Sequence, residues 1–384
     1  MKLCLPCPLV GPDILETRAD RQGAITRKIP AILVTCPALT PPSHANAIVQ
    51  HISQRRSLAK QNPPFPRMGE RHNSKGSLRS TSMTDIASTA HVLGNLASTP
   101  RRSYTAVPGF FIQDSAPADT VIPALPPRFG LLDDSPDRWS KFFAQIDRLN
   151  QDADEYTSYK VFFFGRHGQG FHNFASAKYG PQAWDTYWGR LNGDDELIWG
   201  PDPELTTLGK GEAVDAQDAW AAEQRGAGLP FPERLYCSPM TRALRTCELT
   251  FSGLLSDPDP ARRRPTILEN CREISGVYTC DKRRTRAYIA RRFPGFEIED
   301  GLPEDDELWD PELRETDAHL AHRARRVLDH IFEHDKKETF VSVTAHGRII
   351  RMGFLAVVGR PSCILPTGGV LPVVVKSVYT PNAE

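Results

Sequence analysis

The order of elements in this sequence predicts an α/β protein: a three-layer α/β/α sandwich with a largely parallel, doubly wound sheet. Three observations carry that expectation. From residue 157 onward, short apolar runs alternate with amphipathic stretches, the pattern of parallel strands joined by helices. The runs are nearly uninterrupted, as in YKVFFFG and TFVSVTA, so these strands should be covered on both faces. Polar clusters follow four of the runs, at the strand ends where open parallel sheets hold ligands.

Taken in order, SPDRWSKFFAQIDRLNQDA reads as a helix, with Ser135 as N-cap and Pro136 at its first position. Trp139, Phe142, Phe143 and Ile146 fall on one of its faces. YKVFFFG is a strand, and LTTLGKGEAVDAQDAWAAEQRG a helix closed by Gly226. RLYCSP, TILENC and TFVSVTA are strands, and GGVLPVVVKSVYT is the last one. MTRALRTCELTF, DPELRETDAHLAHRARRVLDHIFEHD and GRIIRMGFLAVVG are the helices between them.

Upstream the chain differs. Residues 1–100 are rich in Pro, Ser, Thr and Arg and show no sustained period. Such a segment cannot bury enough apolar surface to offset its ordering entropy. It reads as a disordered extension, or as sequence preceding a true start at Met83. Residues 101–156 read as a Pro-rich arm and a helix packed on the domain, which then occupies 157–384 with insertions near 170–204 and 276–312.

Composition narrows the function classes. Lys plus Arg number 47 and Asp plus Glu number 47, for a formal net charge of zero. That balance argues against a general nucleic-acid or membrane-surface binder. No apolar run approaches the ~18–20 residues of a membrane span. The extension has a poor secretory signal, and its stretch from Arg21 to Met68 lacks acidic residues, loosely like an organelle transit peptide. The expected location is cytoplasmic, with nucleus or organelle left open. Cys4, Cys7, Cys36, Cys237, Cys247, Cys271, Cys280 and Cys363 are scattered. One CxxC pair without a second does not make a zinc site, so reduced thiols and no metal are expected.

The chemistry gathers at the strand ends. GRHG, CSPMTR, NCRE and TAHGR deliver Arg166, His167, Arg242, Glu273 and His346 to one edge of the sheet. Each alone has an ordinary explanation, such as a hydrogen-bonded loop histidine or a solvated helix charge. Together, two histidines and two arginines make a cationic site that calls for an anion. The start of the MTRALRTCE helix should add unpaired backbone N–H groups. Guanidinium forks match phosphate oxygens and stay charged at any useful pH.

These motifs resemble the histidine phosphatase (phosphoglycerate mutase-like) superfamily. RHGQGFHN matches its Arg-His-Gly signature, LTTLGKGEA its LTxxGxxQ element with Glu212 for the glutamine, and SPMTRALRT its SPxxRAxxT element. CREISGVYTCDKR and TAHGRIIR follow in order. The RHGQGxHN and TCDKR patterns are most similar to a fungal phosphomutase-like branch. The resemblance implies His167 as a nucleophile forming a phosphohistidine. It implies Arg166, Asn173, Arg242 and His346 as phosphoryl ligands, and Glu273 as general acid and then base. It implies a phosphoric monoester hydrolase needing no cofactor and acting on a small phosphorylated substrate, with oligomeric state open. Gln169, where mutases commonly carry glutamate, and the absence of an ERxYG context at Glu273 tilt the reading from mutase toward phosphatase. A mutase, or a weakly active relative serving as a binding module, is the alternative.

Two insertions are expected over the site. The first holds Trp184, Tyr187, Trp188 and Trp199, equally consistent with packing and with substrate contact. In the second, the basic stretch 282–292 either faces a highly anionic substrate, or pairs with the acidic stretch after it or is solvated separately from it. Pairing or separate solvation is the simpler expectation.

Overall fold

The computed structural model describes residues 101–253 and 264–381. The expectations for 1–100, including a start at Met83, lie outside the described residues.

The chain enters the sheet at once. Strand β1, Arg101–Ala106, is followed by the two-residue strand β2, Thr120–Val121, and by helix α1, Arg138–Gln151. Strand β3, Thr157–Arg166, leads into two short helices, α2 (Phe171–Tyr179) and α3 (Pro181–Thr186). Helix α4, Thr207–Ala227, strand β4, Arg234–Cys237, and helix α5, Thr241–Phe251, come next. After strand β5, Thr266–Ile267, the second insertion carries helix α6, Arg286–Arg292, and strand β6, Glu297–Ile298. Helix α7, Asp317–His334, precedes strand β7, Phe340–Ala345. A π-helical turn, Ile349–Phe354, runs into helix α8, Leu355–Val357. Strands β8, Cys363–Ile364, and β9, Val370–Thr380, complete the order.

The main sheet has the order β1-β9-β3-β7-β4-β5-β6. From β3 through β6 all neighbours are parallel, whereas β9 runs antiparallel to both β3 and β1. Alternate side chains of β3 build the two halves of the core. Phe162 and Phe164 pack with Leu320, Val327 and Ile331 of α7 and with Ile350 and Phe354 of the π-helical turn. Val161 and Phe163 pack with Trp139 of α1, Trp220 of α4 and Leu244 of α5. Helices on both faces make the three-layer sandwich that the uninterrupted runs predict. Each fully buried phenylalanine contributes about 1.5–3 kcal/mol relative to exposure.

Several boundaries differ from the sequence expectation. Arg101–Ala106 is an edge strand of the sheet, so this stretch belongs to the domain rather than lying upon it as an arm. Helix α1 begins at Arg138 with Asp137 as N-cap. Ser135 and Pro136 form the preceding turn, in which the Ser135 carbonyl accepts from Arg138 N at 3.2 Å. Helix α4 runs past Gly226 and closes at Gly228, whose φ of 70° is left-handed. Helix α7 starts only at Asp317, because the Thr316 side chain accepts from His319 N and caps it there. TILENC yields two strand residues before a tight 3-10 turn at Glu269–Cys271.

Candidate functional site

Strand register assembles the site. Arg166 lies opposite Ala345 and Cys237 opposite Thr344. The next residues of the three parallel strands, His167, His346 and Ser238, therefore emerge side by side. His167 N donates to Ala345 O at 3.0 Å and Ser238 N to Thr344 O at 3.0 Å, carrying the ladder one step further. The two imidazole centroids are 5.0 Å apart, and both residues are buried, as is Arg242.

The motif glycines hold the His167 loop against helix α4. A Cβ on Gly168 would stand 2.1 Å from Gly209 O, and one on Gly209 would stand 2.1 Å from Gln169 O. The two backbones touch, so neither position admits a side chain. Around this contact, Thr246 Oγ1 accepts from Gly168 N at 2.9 Å and donates to Arg242 O at 2.8 Å. Glu212 accepts from Gln169 N at 2.6 Å and from Thr367 Oγ1 at 2.8 Å. Gln169 turns its own Oε1 to the Thr206 hydroxyl at 2.8 Å, and so belongs to the support of the loop.

The nucleophile candidate has a defined tautomer. His167 Nδ1 is 2.7 Å from Gly168 O, and a carbonyl only accepts, so Nδ1 carries the proton and Nε2 the lone pair. Burial first, then Arg242 and Arg166, press its pKa well below the usual imidazole range. His346 Nε2 is 2.7 Å from Ser238 Oγ, which also accepts from Met240 N at 3.3 Å. The serine proton is thereby free to point at Nε2, which leaves Nδ1–H of His346 as a donor. That Nδ1, Arg166 Nε and Arg242 Nε are buried and have no partner.

Each arginine is fixed by its other end. Arg166 Nη1 donates to Leu365 O at 2.7 Å, and its guanidinium rests beside Gly347, where a Cβ would come within 3.2 Å. Arg242 Nη1 donates to Cys280 O at 2.7 Å and Nη2 to Asp281 Oδ1 at 3.2 Å. The other oxygen of Asp281 takes Arg314 Nη1 at 2.8 Å. The start of α5 is less open than expected: Thr241 N and Oγ1 both go to the buried Asp202 carboxylate, at 2.8 and 2.6 Å. Burial pushes the pKa of Asp202 up to about 6.

Glu273, partly buried, sits at the start of the turn that follows His346. Its oxygens accept from Ile274 N at 3.0 Å and from Arg348 N and Ile349 N at 3.3 Å. These donors and Arg242 favour the carboxylate. Burial and the neighbouring Asp281 charge outweigh them, and the pKa is raised. Arg323 fixes the backbone here, donating to Asn270 O, Arg272 O and Glu273 O while paired with Glu315. Asn173 accepts from Gly170 N at 2.9 Å through Oδ1, so Nδ2 is its donor end.

Sequence reasoning missed Asp202, Asp281, Arg323 and His172, whose ring lies 5.4 Å from that of His167. Only the His-Asn doublet in RHGQGFHN offered a signal for the last. In the insertions, Trp184 and Trp199 are buried in a small aromatic core with Trp188 and Tyr179 against them, so packing accounts for them. Arg283 is buried as well. It pairs with Glu269 and donates to the carbonyls of Pro303, Arg284 and Asp305. Its charge partner is Glu269, upstream of the basic stretch, and it meets the acidic stretch only through backbone groups, so its guanidinium is spent inside the insertion. At the opposite end of β3, a cleft of about 810 Å³ is lined by Tyr156, Lys160 and Lys337. Its buried Lys160 is already taken by the carbonyls of Asp335 and Glu338.

A doubly wound sandwich with two histidines and two arginines at adjacent strand ends defines the class. The sequence profile of the histidine phosphatase superfamily (branch 1) matches residues 164–368, and the chain belongs to this family. A relative described as a probable phosphoglycerate mutase, from Arthroderma benhamiae, is 41% identical over 304 residues, covering 74% of this chain and 87% of its own. Phosphomutase-like protein 3 of Candida albicans is 36% identical over 216 residues, with 56% and 65% covered. Among solved structures, the ecdysone phosphate phosphatase of Bombix mori in complex with tungstate is similar at 14% identity, TM-score 0.37, covering 56% of this chain and 88% of that one. A mycobacterial glucosyl-3-phosphoglycerate phosphatase is similar at 17% identity, TM-score 0.34, with 58% and 98% covered.

Proposed function

We propose that this protein is a phosphomonoesterase that transfers the phosphoryl group of a small phosphorylated metabolite to His167 and then to water. The observation that carries this reading is a set of buried, unpartnered nitrogens on side chains around His167: Nε of Arg166 and of Arg242, whose charges act on its ring, and Nδ1 of His346, whose ring lies 5.0 Å away. Each such group left unpaired costs about 1–3 kcal/mol, and phosphoryl oxygens would satisfy all three.

In the first step the Nε2 lone pair of His167 attacks phosphorus and the ester P–O bond breaks. Glu273, whose pKa burial and Asp281 raise, gives its proton to the departing oxygen. In the second step the Glu273 carboxylate takes a proton from water, water oxygen attacks phosphorus, and the P–N bond breaks. Arg166, Arg242, His346 and the Asn173 amide neutralise the equatorial oxygens, so charge stabilisation comes from side chains and no metal is required.

The test is a phosphate-release screen across phosphorylated metabolites, run with EDTA and with His167→Ala. The expected result is release that survives chelation and disappears in the variant. Activity retained by His167→Ala, or lost to EDTA, would overturn the mechanism. The names of the fungal relatives keep a mutase reading alive. Incubation with 3-phosphoglycerate, with and without 2,3-bisphosphoglycerate, separates the two by isomer formation against free phosphate.

A further inference from the structure

One side chain at this site has no role in the scheme above. His172 stands in the first turn of α2, and its ring centroid is 5.4 Å from that of His167. Its Nδ1 is buried without a partner. Its Nε2 makes no hydrogen bond among the described residues either, yet is not sealed off as Nδ1 is. The ring occupies space that only a glycine leaves: a Cβ on Gly170 would come within 2.7 Å of Nδ1 and 2.8 Å of Cε1. Gly170 has φ of −90°, which any residue adopts, so its lack of a side chain serves the ring and not the backbone.

The surroundings are those of the phosphoryl pocket. Burial, then Arg242, His167 and Arg166, hold His172 neutral, and His172 in turn acts on His346. A neutral imidazole has one donor and one acceptor. A buried N–H without a partner is rarer in folded proteins than a buried acceptor without one. The proton therefore belongs on Nε2, the nitrogen that is not sealed off.

We propose that His172 is a direct ligand of the phosphoryl group, its Nε2–H donating to a phosphoryl oxygen beside the His167 nucleophile. The inference rests on the phosphatase reading above. It makes the pocket one of three imidazoles and two guanidiniums.

Titration of the full chain with inorganic phosphate, by calorimetry, tests it on wild type, His172→Phe and His172→Gln. Loss of one hydrogen bond to a charged group should weaken phosphate binding about ten- to a hundredfold in His172→Phe. The melting temperature should be unchanged or higher, because the unpaired Nδ1 is gone. His172→Gln, which keeps a donor, should recover part of the affinity. His172→Phe binding phosphate within twofold of wild type would refute the proposal. In wild type labelled with 15N-histidine, saturating phosphate should move the ring signals of His167, His346 and His172; movement of only the first two also refutes it, whether or not the variants fold. A wild type that binds no phosphate overturns both this inference and the phosphatase reading. A wild type that binds beside an undisturbed His172→Phe overturns this inference alone.

Discussion

Replacing Asp281 by Asn separates two duties that one carboxylate performs. Its oxygens hold Arg242 at 3.2 Å and Arg314 at 2.8 Å, and its charge helps raise the pKa of the Glu273 carboxyl. An amide keeps one acceptor and turns an N–H₂ toward a guanidinium. The lost charge-assisted hydrogen bond is worth about 1.5–3 kcal/mol, which for a domain of this size lowers Tm by roughly 3–12 °C. Arg242 would keep its bond to Cys280 O but lose its ionic partner. The second effect has a definite sign. Without the Asp281 charge the raised pKa of Glu273 falls, so Glu273 surrenders its proton at lower pH. The alkaline limb of kcat/KM should then move acidward, because the leaving oxygen needs that proton. The assay is kcat/KM against pH for glycerol phosphate, a substrate with a poor leaving group, below the melting range of both proteins. A variant with lowered Tm but a superimposable alkaline limb would refute the electrostatic link, as would a limb displaced toward higher pH.

Three further outcomes follow from the same geometry. Glu273→Gln should slow hydrolysis of an alkyl phosphate by about 10²–10⁴ and that of p-nitrophenyl phosphate far less, since nitrophenolate leaves unprotonated; equal losses would remove Glu273 as the acid. Gly168→Ala drives a Cβ onto the Gly209 carbonyl and should cost at least the ~1–3 kcal/mol of overpacking, seen as a lowered urea midpoint. Wild-type stability there would mean the two backbones can part. Asp202, raised to about 6, binds its proton more tightly folded than unfolded, so its contribution to stability declines as pH rises from about 4 to about 6. Asp202→Asn should flatten that part of the urea-midpoint curve, and an unchanged slope would refute the assignment.

Much of this architecture is written in short-range pattern. The strand cores of β3, β4 and β7 and the helices between them follow from apolar runs and period, and their shared end brings His167, Arg242 and His346 together. What sequence could not reveal depends on register and on distant partners. RRSYTA has no apolar run, because an edge strand needs only one paired side, so β1 read as an arm. Asp202 is one acid among many until the chain folds it under Thr241. Arg283 and Arg284 look alike as a basic pair, yet Arg283 spends its guanidinium on Glu269 and on loop carbonyls. Gln169 illustrates the reverse case, a motif residue whose side-chain oxygen proves to brace Thr206.

The second insertion reaches into the site through the Arg242 side chain. Both partners of the Arg242 side chain, Cys280 O and Asp281, come from it. It is also tied to the first insertion, through Tyr278 to Asp185 and Thr279 to Leu191 O. In a modular enzyme the segments that select a substrate can be exchanged while the reacting centre stays intact. Here a loop expected only to cover the site also aims one of its guanidiniums. Any graft that alters substrate choice by replacing 276–312 must therefore restore an acceptor at 280 and an acid at 281. Without them the transplant exchanges selectivity and loses catalysis in the same stroke.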